Sequence, residues 1–173
     1  MDLSKIKAFA FDIDGVATEG GVFCTPDGDL LRTYDAKDGF AVRMAVLHRY
    51  PVGVITGGSS ESIRKRMVTS GVLPEDVFLH CRDKREQFGI FCRRYNLRPE
   101  EVMFFGDDVP DMDVMALSGC GVCPSDAVEE VKAIADRISS RPGGKGCLRE
   151  GIEATLRAQG NWTFDPAEYK KKF

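Results

Sequence analysis

A chain of 173 residues, 43% hydrophobic and 29% charged, is long enough for one domain with its own core. A formal net charge of -3 excludes the basic footprint of a nucleic-acid binder, so no nucleic acid is expected as a partner. No apolar run is long enough to span a bilayer, and the start, Met1-Asp2-Leu3-Ser4-Lys5, lacks the apolar region of a secretion signal; no membrane partner and a cytoplasmic location are expected.

Ile6 and Ala8-Phe9-Ala10-Phe11 read as a strand buried on both faces, as in a parallel sheet. The run stops at Asp12-Ile13-Asp14-Gly15, and carboxylates at the C-terminal end of such a strand lie where open α/β sheets bind ligands. Two carboxylates held together repel unless a cation or proton intervenes. Val22 to Cys24 and Leu30 to Tyr34 flank Thr25-Pro26-Asp27-Gly28-Asp29, so residues 21–34 are predicted to form a hairpin projecting from the sheet edge. Asp38-Gly39 precedes a predicted helix to about Arg49.

Pro51 to Ile55 is a second buried strand, ending at Thr56-Gly57-Gly58-Ser59-Ser60 before a helix from about Glu61 to Ser70. A strand, a glycine loop and a helix N-terminus together make an anion site from backbone N–H groups. Asp76 to Leu79 is a third strand, and Lys84 opens the next helix, a position opposed to the helix dipole unless an anion is near. Val102 to Phe105 is a fourth strand, again ending in carboxylates at Gly106-Asp107-Asp108-Val109-Pro110-Asp111. A helix with Met112 and Leu117, a strand over Gly119–Cys123, a helix over Val128–Ala135, a short strand at Ile138, the turn Arg141 to Gly146 and a helix to about Gln159 complete the pattern. Residues 161–173 carry no further pattern and are expected to be a mobile tail.

Six cysteines with redox-like spacing at Cys120 and Cys123 are read as core thiols, since no second pair or nearby histidine completes a metal site. The alternation of strands and helices predicts an α/β, doubly wound, largely parallel sheet in a single domain over residues 1–160. Oxygen-only ligands beside one lysine favour Mg2+, and the remaining groups suit a phosphoryl group. Asp12 could attack phosphorus and Asp14 serve as general acid and base, with Thr56, Gly57 and Lys84 holding the phosphoryl oxygens.

These stretches resemble the four motifs of the haloacid dehalogenase superfamily, over nearly the whole chain: Asp12-Ile13-Asp14-Gly15-Val16, Ile55-Thr56-Gly57, Lys84, and Gly106-Asp107-Asp108 with Asp111. The resemblance implies Asp12 as nucleophile, Asp14 as acid/base, and Mg2+ held by Asp12, the Asp14 backbone carbonyl and Asp107. Asp108 and Asp111 are then expected to orient the metal shell and Lys84. The intervals where such enzymes carry a cap domain are too short here for one of about 50 residues. More narrowly, Lys37-Asp38-Gly39-Phe40 and Gly143-Gly144-Lys145-Gly146-Cys147-Leu148-Arg149-Glu150 make the chain similar to the capless 3-deoxy-D-manno-octulosonate 8-phosphate (KDO 8-phosphate) phosphatases. That likeness implies a sugar-acid phosphate as substrate, a homotetramer formed through the hairpin with a neighbouring subunit covering the site, Arg66 as partner of the substrate carboxylate, and a tail able to fold over the pocket.

Two positions depart from the pattern: Gly58 stands where many relatives carry arginine, and His80, read as a strand-end residue, where glycine is common. A related nine-carbon sugar-acid phosphatase often has glutamate at the position of Gly58 and lysine at that of Thr69, which leaves the eight-carbon substrate favoured. A phospho-signalling receiver domain also uses Asp, Thr, Lys and Mg2+, but in another order along the chain. An inactive assembly domain would not need the full set of groups present here.

Overall fold

The apolar run after Lys7 forms β1 (Ala8–Phe11), every residue of it buried, at the centre of a six-stranded sheet. The structure, a computed structural model, describes residues 2–173. Two short antiparallel strands follow, β2 (Phe23–Cys24) and β3 (Leu30–Leu31), the predicted hairpin standing off the main sheet. The remaining strands are β4 (Val52–Ile55), β5 (Val77–Phe78), β6 (Val102–Phe105), β7 (Cys120–Cys123) and β8 (Arg137–Ile138). The sheet order is β5-β4-β1-β6-β7-β8, and every neighbouring pair in it is parallel. From β1 the chain winds one way through β4 and β5, then returns to the other side for β6. The reversal lies beside β1, where doubly wound sheets place their ligand crevice.

Residues alternate across the sheet, so one strand feeds two cores. Phe9, Phe11, Met103 and Phe105 face α1 (Ala36–Leu47), α2 (Glu61–Thr69) and α6 (Cys147–Ala158). Ala8, Ala10, Val102 and Phe104 face α3 (Lys84–Arg94), α4 (Met112–Leu117) and α5 (Glu129–Ile134). Each fully buried Phe side chain contributes about 1.5–3 kcal/mol of transfer free energy. Cys120 and Cys123 lie in opposite cores and are free thiols, as the core reading of that stretch predicted. No described helix is long and apolar enough to cross a membrane, and no cap domain interrupts the sheet.

Two differences from the predicted elements have local causes. α1 starts at Ala36, ahead of Asp38, because the Asp35 side chain accepts hydrogen bonds from the N–H groups of Lys37 and Asp38 at 2.6 and 3.1 Å. Asp38 is then free to reach α6, accepting from Gly146 N–H at 3.1 Å and Arg149 N–H at 2.7 Å. The segment after Gly160 also carries more structure than the pattern predicted: α7 (Pro166–Lys172), capped by Asp165 and started by a proline. It lies against α1, with the Phe40 ring 6.3 Å from Trp162 and 6.0 Å from Tyr169, and Arg43 donating to the Tyr169 hydroxyl at 2.8 Å.

Candidate active site

Phe11 pairs with Phe105, so the chain leaves β1 and β6 side by side, and Asp12 N–H still donates to the Phe105 carbonyl at 3.0 Å. The two acidic loops therefore meet. Gly15, at φ +90°, turns the first of them; a Cβ there would stand 2.0 Å from Asp107 Oδ2. Only glycine permits that conformation and that approach. Gly143 and Gly144 support the same loop from behind, since a Cβ on either would strike the backbone of Gly15 or Thr18, and Gly144 N–H donates to the Val16 carbonyl at 2.8 Å. The glycine turn quoted for the family resemblance is thus part of the wall that holds the first motif.

Carboxylate oxygens of Asp12, Asp107 and Asp111 lie within 4.8 Å of one another. Lys84 Nζ joins them, 3.1 Å from Asp12 Oδ2 and 2.7 Å from Asp111 Oδ1. Burial alone would lower the lysine pKa, but the Asp12 and Asp111 charges outweigh it and the net shift is upward, so the ammonium stays charged. Burial, reinforced by Asp111, pushes the Asp12 carboxyl up to about 6. Burial, reinforced by Asp111 and Asp12, pushes Asp107 up to about 7. Asp111 is fully engaged, its second oxygen accepting from Asp107 N–H at 3.1 Å. By contrast, Asp12 Oδ1 and Asp107 Oδ1 are buried without a hydrogen-bond partner.

An open cavity of about 380 Å³ unites the acidic groups with Asp14, Thr56, Gly57, Gly58 and Lys84. Thr56 is buried at the end of β4, and its hydroxyl oxygen accepts from Gly58 N–H at 3.1 Å. Asp14 is held in a two-pronged ion pair with Arg32, Nε to Oδ1 at 2.6 Å and Nη2 to Oδ2 at 2.9 Å. Sequence reasoning missed Arg32; the available signal was one arginine following Leu30-Leu31 in an otherwise uncharged hairpin strand.

Two expectations for site residues differ from the structure. Arg66 is not brought to this cavity: it lies over the Tyr34 ring with its Nη1 3.3 Å from Ser70 Oγ, lining a separate cleft beside α1. The helix of Arg66 starts at the site but runs away from it, and one and a half turns at 1.5 Å per residue suffice to carry the side chain off. Asp108 caps its own turn, accepting from Val109 N–H at 2.7 Å, while the partners of Lys84 are Asp12 and Asp111. His80 is exposed at a strand end with φ +57°, which explains why glycine suits that position.

Comparison with known proteins agrees with this geometry. Residues 76–146 match the model of the haloacid dehalogenase-like hydrolases. A probable YrbI-family phosphatase from Pseudomonas syringae is 30% identical in a solved structure, with a TM-score of 0.89 over 93% of this chain and 90% of that one. The chain belongs to the YrbI-type phosphatases of the haloacid dehalogenase-like hydrolases, and its relatives include KDO 8-phosphate phosphatases. The Salmonella typhi member is 29% identical over 156 residues, 90% of this chain and 82% of the relative. The Moraxella catarrhalis member, solved with magnesium, phosphate and KDO, is 25% identical with a TM-score of 0.88, covering 93% of this chain and 91% of that one.

The residues present fit the Mg2+ of that family. Asp12 and Asp107 each keep one buried carboxylate oxygen without a partner, carboxylate oxygens of the two groups lie within 4.8 Å of each other, and oxygen-only donors suit a small hard cation. Asp111 lies close enough to belong to the acidic cluster, but both its oxygens are already bonded, so it supports the cluster rather than offering a free ligand.

Proposed function

We propose that this chain is a phosphomonoester hydrolase, that Asp12 is its nucleophile, and that KDO 8-phosphate is its substrate. The carrying observation is the gathering of the Asp12, Asp107 and Asp111 carboxylates about the Lys84 ammonium in an open cavity that Thr56 and Gly57 also line. The single domain of residues 1–160 supplies every group the reaction needs.

Asp12 and Asp107, with the backbone carbonyl of Asp14, would hold Mg2+, which when bound offsets the repulsion between the Asp12 carboxylate and the phosphate. Lys84, the Thr56 hydroxyl and the Gly57 N–H bind the phosphoryl oxygens, which is charge stabilisation in a site already arranged for it. Asp12 forms a bond to phosphorus as the bond to the sugar oxygen breaks, and Asp14 gives that oxygen its proton. Asp14 then takes a proton from a water molecule that attacks the aspartyl-phosphate. Phosphate leaves and Asp12 is regenerated. Asp111 keeps Lys84 aimed at Asp12.

The names of the relatives support the eight-carbon sugar acid, and the uncapped cavity has room for it. The exposed apolar side chains of the hairpin, Val22, Phe23 and Leu31 at 42%, 68% and 48% exposure, support assembly through that element into a homotetramer in which a neighbour covers the site. We place the enzyme in the cytoplasm. Phosphate release from KDO 8-phosphate, a nine-carbon sugar-acid 9-phosphate and a neutral hexose 6-phosphate, each with Mg2+, tests the assignment. Preference for the eight-carbon acid is expected. Faster turnover of the nine-carbon acid would replace the substrate, and no release from any of the three would end the phosphatase reading.

A further inference from the structure

Asp14, the acid/base of the proposed reaction, stands on a turn that does not itself fix the side chain. It precedes Gly15, where φ is +90°, and its side chain is 30% exposed at the wall of the acidic cavity. Among the described residues, the hydrogen bonds to its carboxylate come from Arg32 alone, Nε to Oδ1 at 2.6 Å and Nη2 to Oδ2 at 2.9 Å. We propose that Arg32, carried on the hairpin, is a positioning residue that sets where the Asp14 carboxyl stands for proton transfer. This rests on the reading of Asp14 as the acid/base.

The guanidinium stays out of the reaction itself. The Arg32 side chain is 3% exposed and lies outside the cavity lining, whereas Asp14 is part of it, so the carboxyl alone meets the departing group. The place of Arg32 is fixed by the hairpin. Nη1 donates to the Leu30 carbonyl at 3.2 Å, and Leu30 and Leu31 pair with Cys24 and Phe23. Thr25 N–H donates to the Asp29 carbonyl at 2.9 Å and closes the turn. Ser60 Oγ donates to Asp29 Oδ1 at 3.2 Å and ties that turn to the loop after β4. Gly58 completes the seat, since a Cβ there would stand 3.3 Å from Arg32 Nη2.

Two parallel N–H···O bonds restrain both the rotation and the tilt of a carboxyl, which a single point charge does not do. Each carboxylate oxygen has about two lone-pair sites, and the fork uses one on each, so each oxygen keeps one for proton traffic. In the first step the bond from Asp12 to phosphorus forms and the bond from phosphorus to the sugar oxygen breaks. The departing oxygen takes the Asp14 proton. A sugar alkoxide leaves poorly without that proton, whereas a nitrophenolate leaves as the anion and needs none. Displacing a positioned group by on the order of 1 Å costs roughly a hundredfold in rate, and here the loss falls chiefly on esters that depend on the proton.

The test measures kcat/KM of the full chain with Mg2+ on KDO 8-phosphate and on nitrophenyl phosphate. The ratio of the first value to the second cancels losses common to both esters. Arg32→Met is expected to lower that ratio roughly tenfold to a hundredfold, part of the ~10²–10⁴ that a positioned acid supplies. Arg32→Lys, the milder change for folding, lowers it by less. Asp14→Asn lowers it at least as far as Arg32→Met. The double variant, Asp14→Asn with Arg32→Met, falls no further than Asp14→Asn, because the arginine acts only through the carboxyl. A merely structural role would slow both esters alike and leave the ratio in place. A wild-type ratio in both Arg32 variants, or a further fall in the double variant, overturns the positioning role while leaving Asp14 as acid/base. A wild-type ratio in Asp14→Asn overturns the acid/base reading, and this inference with it.

Discussion

Raising the pH of the metal-free protein from 5 to 8 should destabilise it, and Mg2+ should offset the loss. Burial first, then neighbouring carboxylates, lift Asp107 to about 7 and Asp12 to about 6, against 3.8 in the unfolded chain. Between about pH 4 and 7 the folded state therefore binds more protons than the unfolded state, and stability falls as pH rises through that window. One extra bound proton corresponds to a slope of about 1.4 kcal/mol per pH unit. Asp107 is partly exposed, so its own share between pH 5 and 7 is on the order of 2 kcal/mol after allowance for solvent screening. Asp38, lifted to about 6 by burial under the start of α6, adds a slope of the same sign that does not respond to Mg2+. Urea unfolding at pH 5 and pH 8, with chelator and with Mg2+, separates the two sources. Mg2+ should stabilise more at pH 8, where no proton has to leave before it binds. Asp107→Asn should flatten the metal-free slope and remove most of the Mg2+ response. A metal-free stability that is flat or rises between pH 5 and 7, or an unchanged slope in Asp107→Asn, would refute the argument that burial and mutual repulsion govern these groups.

Asp12→Asn should lower turnover at least a thousandfold and abolish phosphoenzyme trapped by acid quench, while circular dichroism and assembly state stay as in wild type; a trapped phosphoenzyme in that variant would remove Asp12 from its role. Gly15→Ala should weaken Mg2+ affinity roughly tenfold to a hundredfold in calorimetry, because its Cβ would stand 2.0 Å from Asp107 Oδ2 and its φ of +90° disfavours a side chain; wild-type affinity would contradict the close packing of the two loops. Lys84→Met should cost about 3–5 kcal/mol at pH 8 without metal, since Asp111, 1% exposed, loses its cation. Protonation of Asp12, which burial lifts to about 6, should shrink that cost at pH 5, and an equal loss at both pH values would point to packing instead.

Most of the fold was legible because its signals are local. An unbroken apolar run such as Ala8–Phe11 is buried on both faces wherever it lies in a parallel sheet, and the acidic residues after it and after Phe105 needed only the two strands to be adjacent. Lys84 was legible as a residue at odds with its helix dipole, a conflict that the buried Asp12 and Asp111 resolve. The tail helix was less visible, although Asp165-Pro166 is a helix-start signal, because its stability comes from rings packed on Phe40 across more than a hundred residues of chain. The join between Asp38 and the start of α6 was hidden for the same reason, since nothing in either stretch alone names the other.

The polar details of the site were the hardest to read because direction, more than identity, decides them. Arg66 and Arg32 are both arginines near a glycine loop, and composition favours neither. One lies on a helix whose 1.5 Å rise per residue carries its side chain away from the strand ends. The other sits where a hairpin folds back over the first loop, so its guanidinium meets Asp14 and closes off one side of Gly58. Asp108 and Asp111 differ in the same way: the first is spent on capping its turn, while the second, three residues on, points inward to Lys84. A substitution at Gly58 is therefore read through Arg32. Even a methyl group there should press on Ile63 at 2.8 Å and on the guanidinium at 3.3 Å, and its cost in stability should shrink when Arg32 is shortened. Independent, additive effects of the two positions on unfolding free energy would mean that they do not share one space after all.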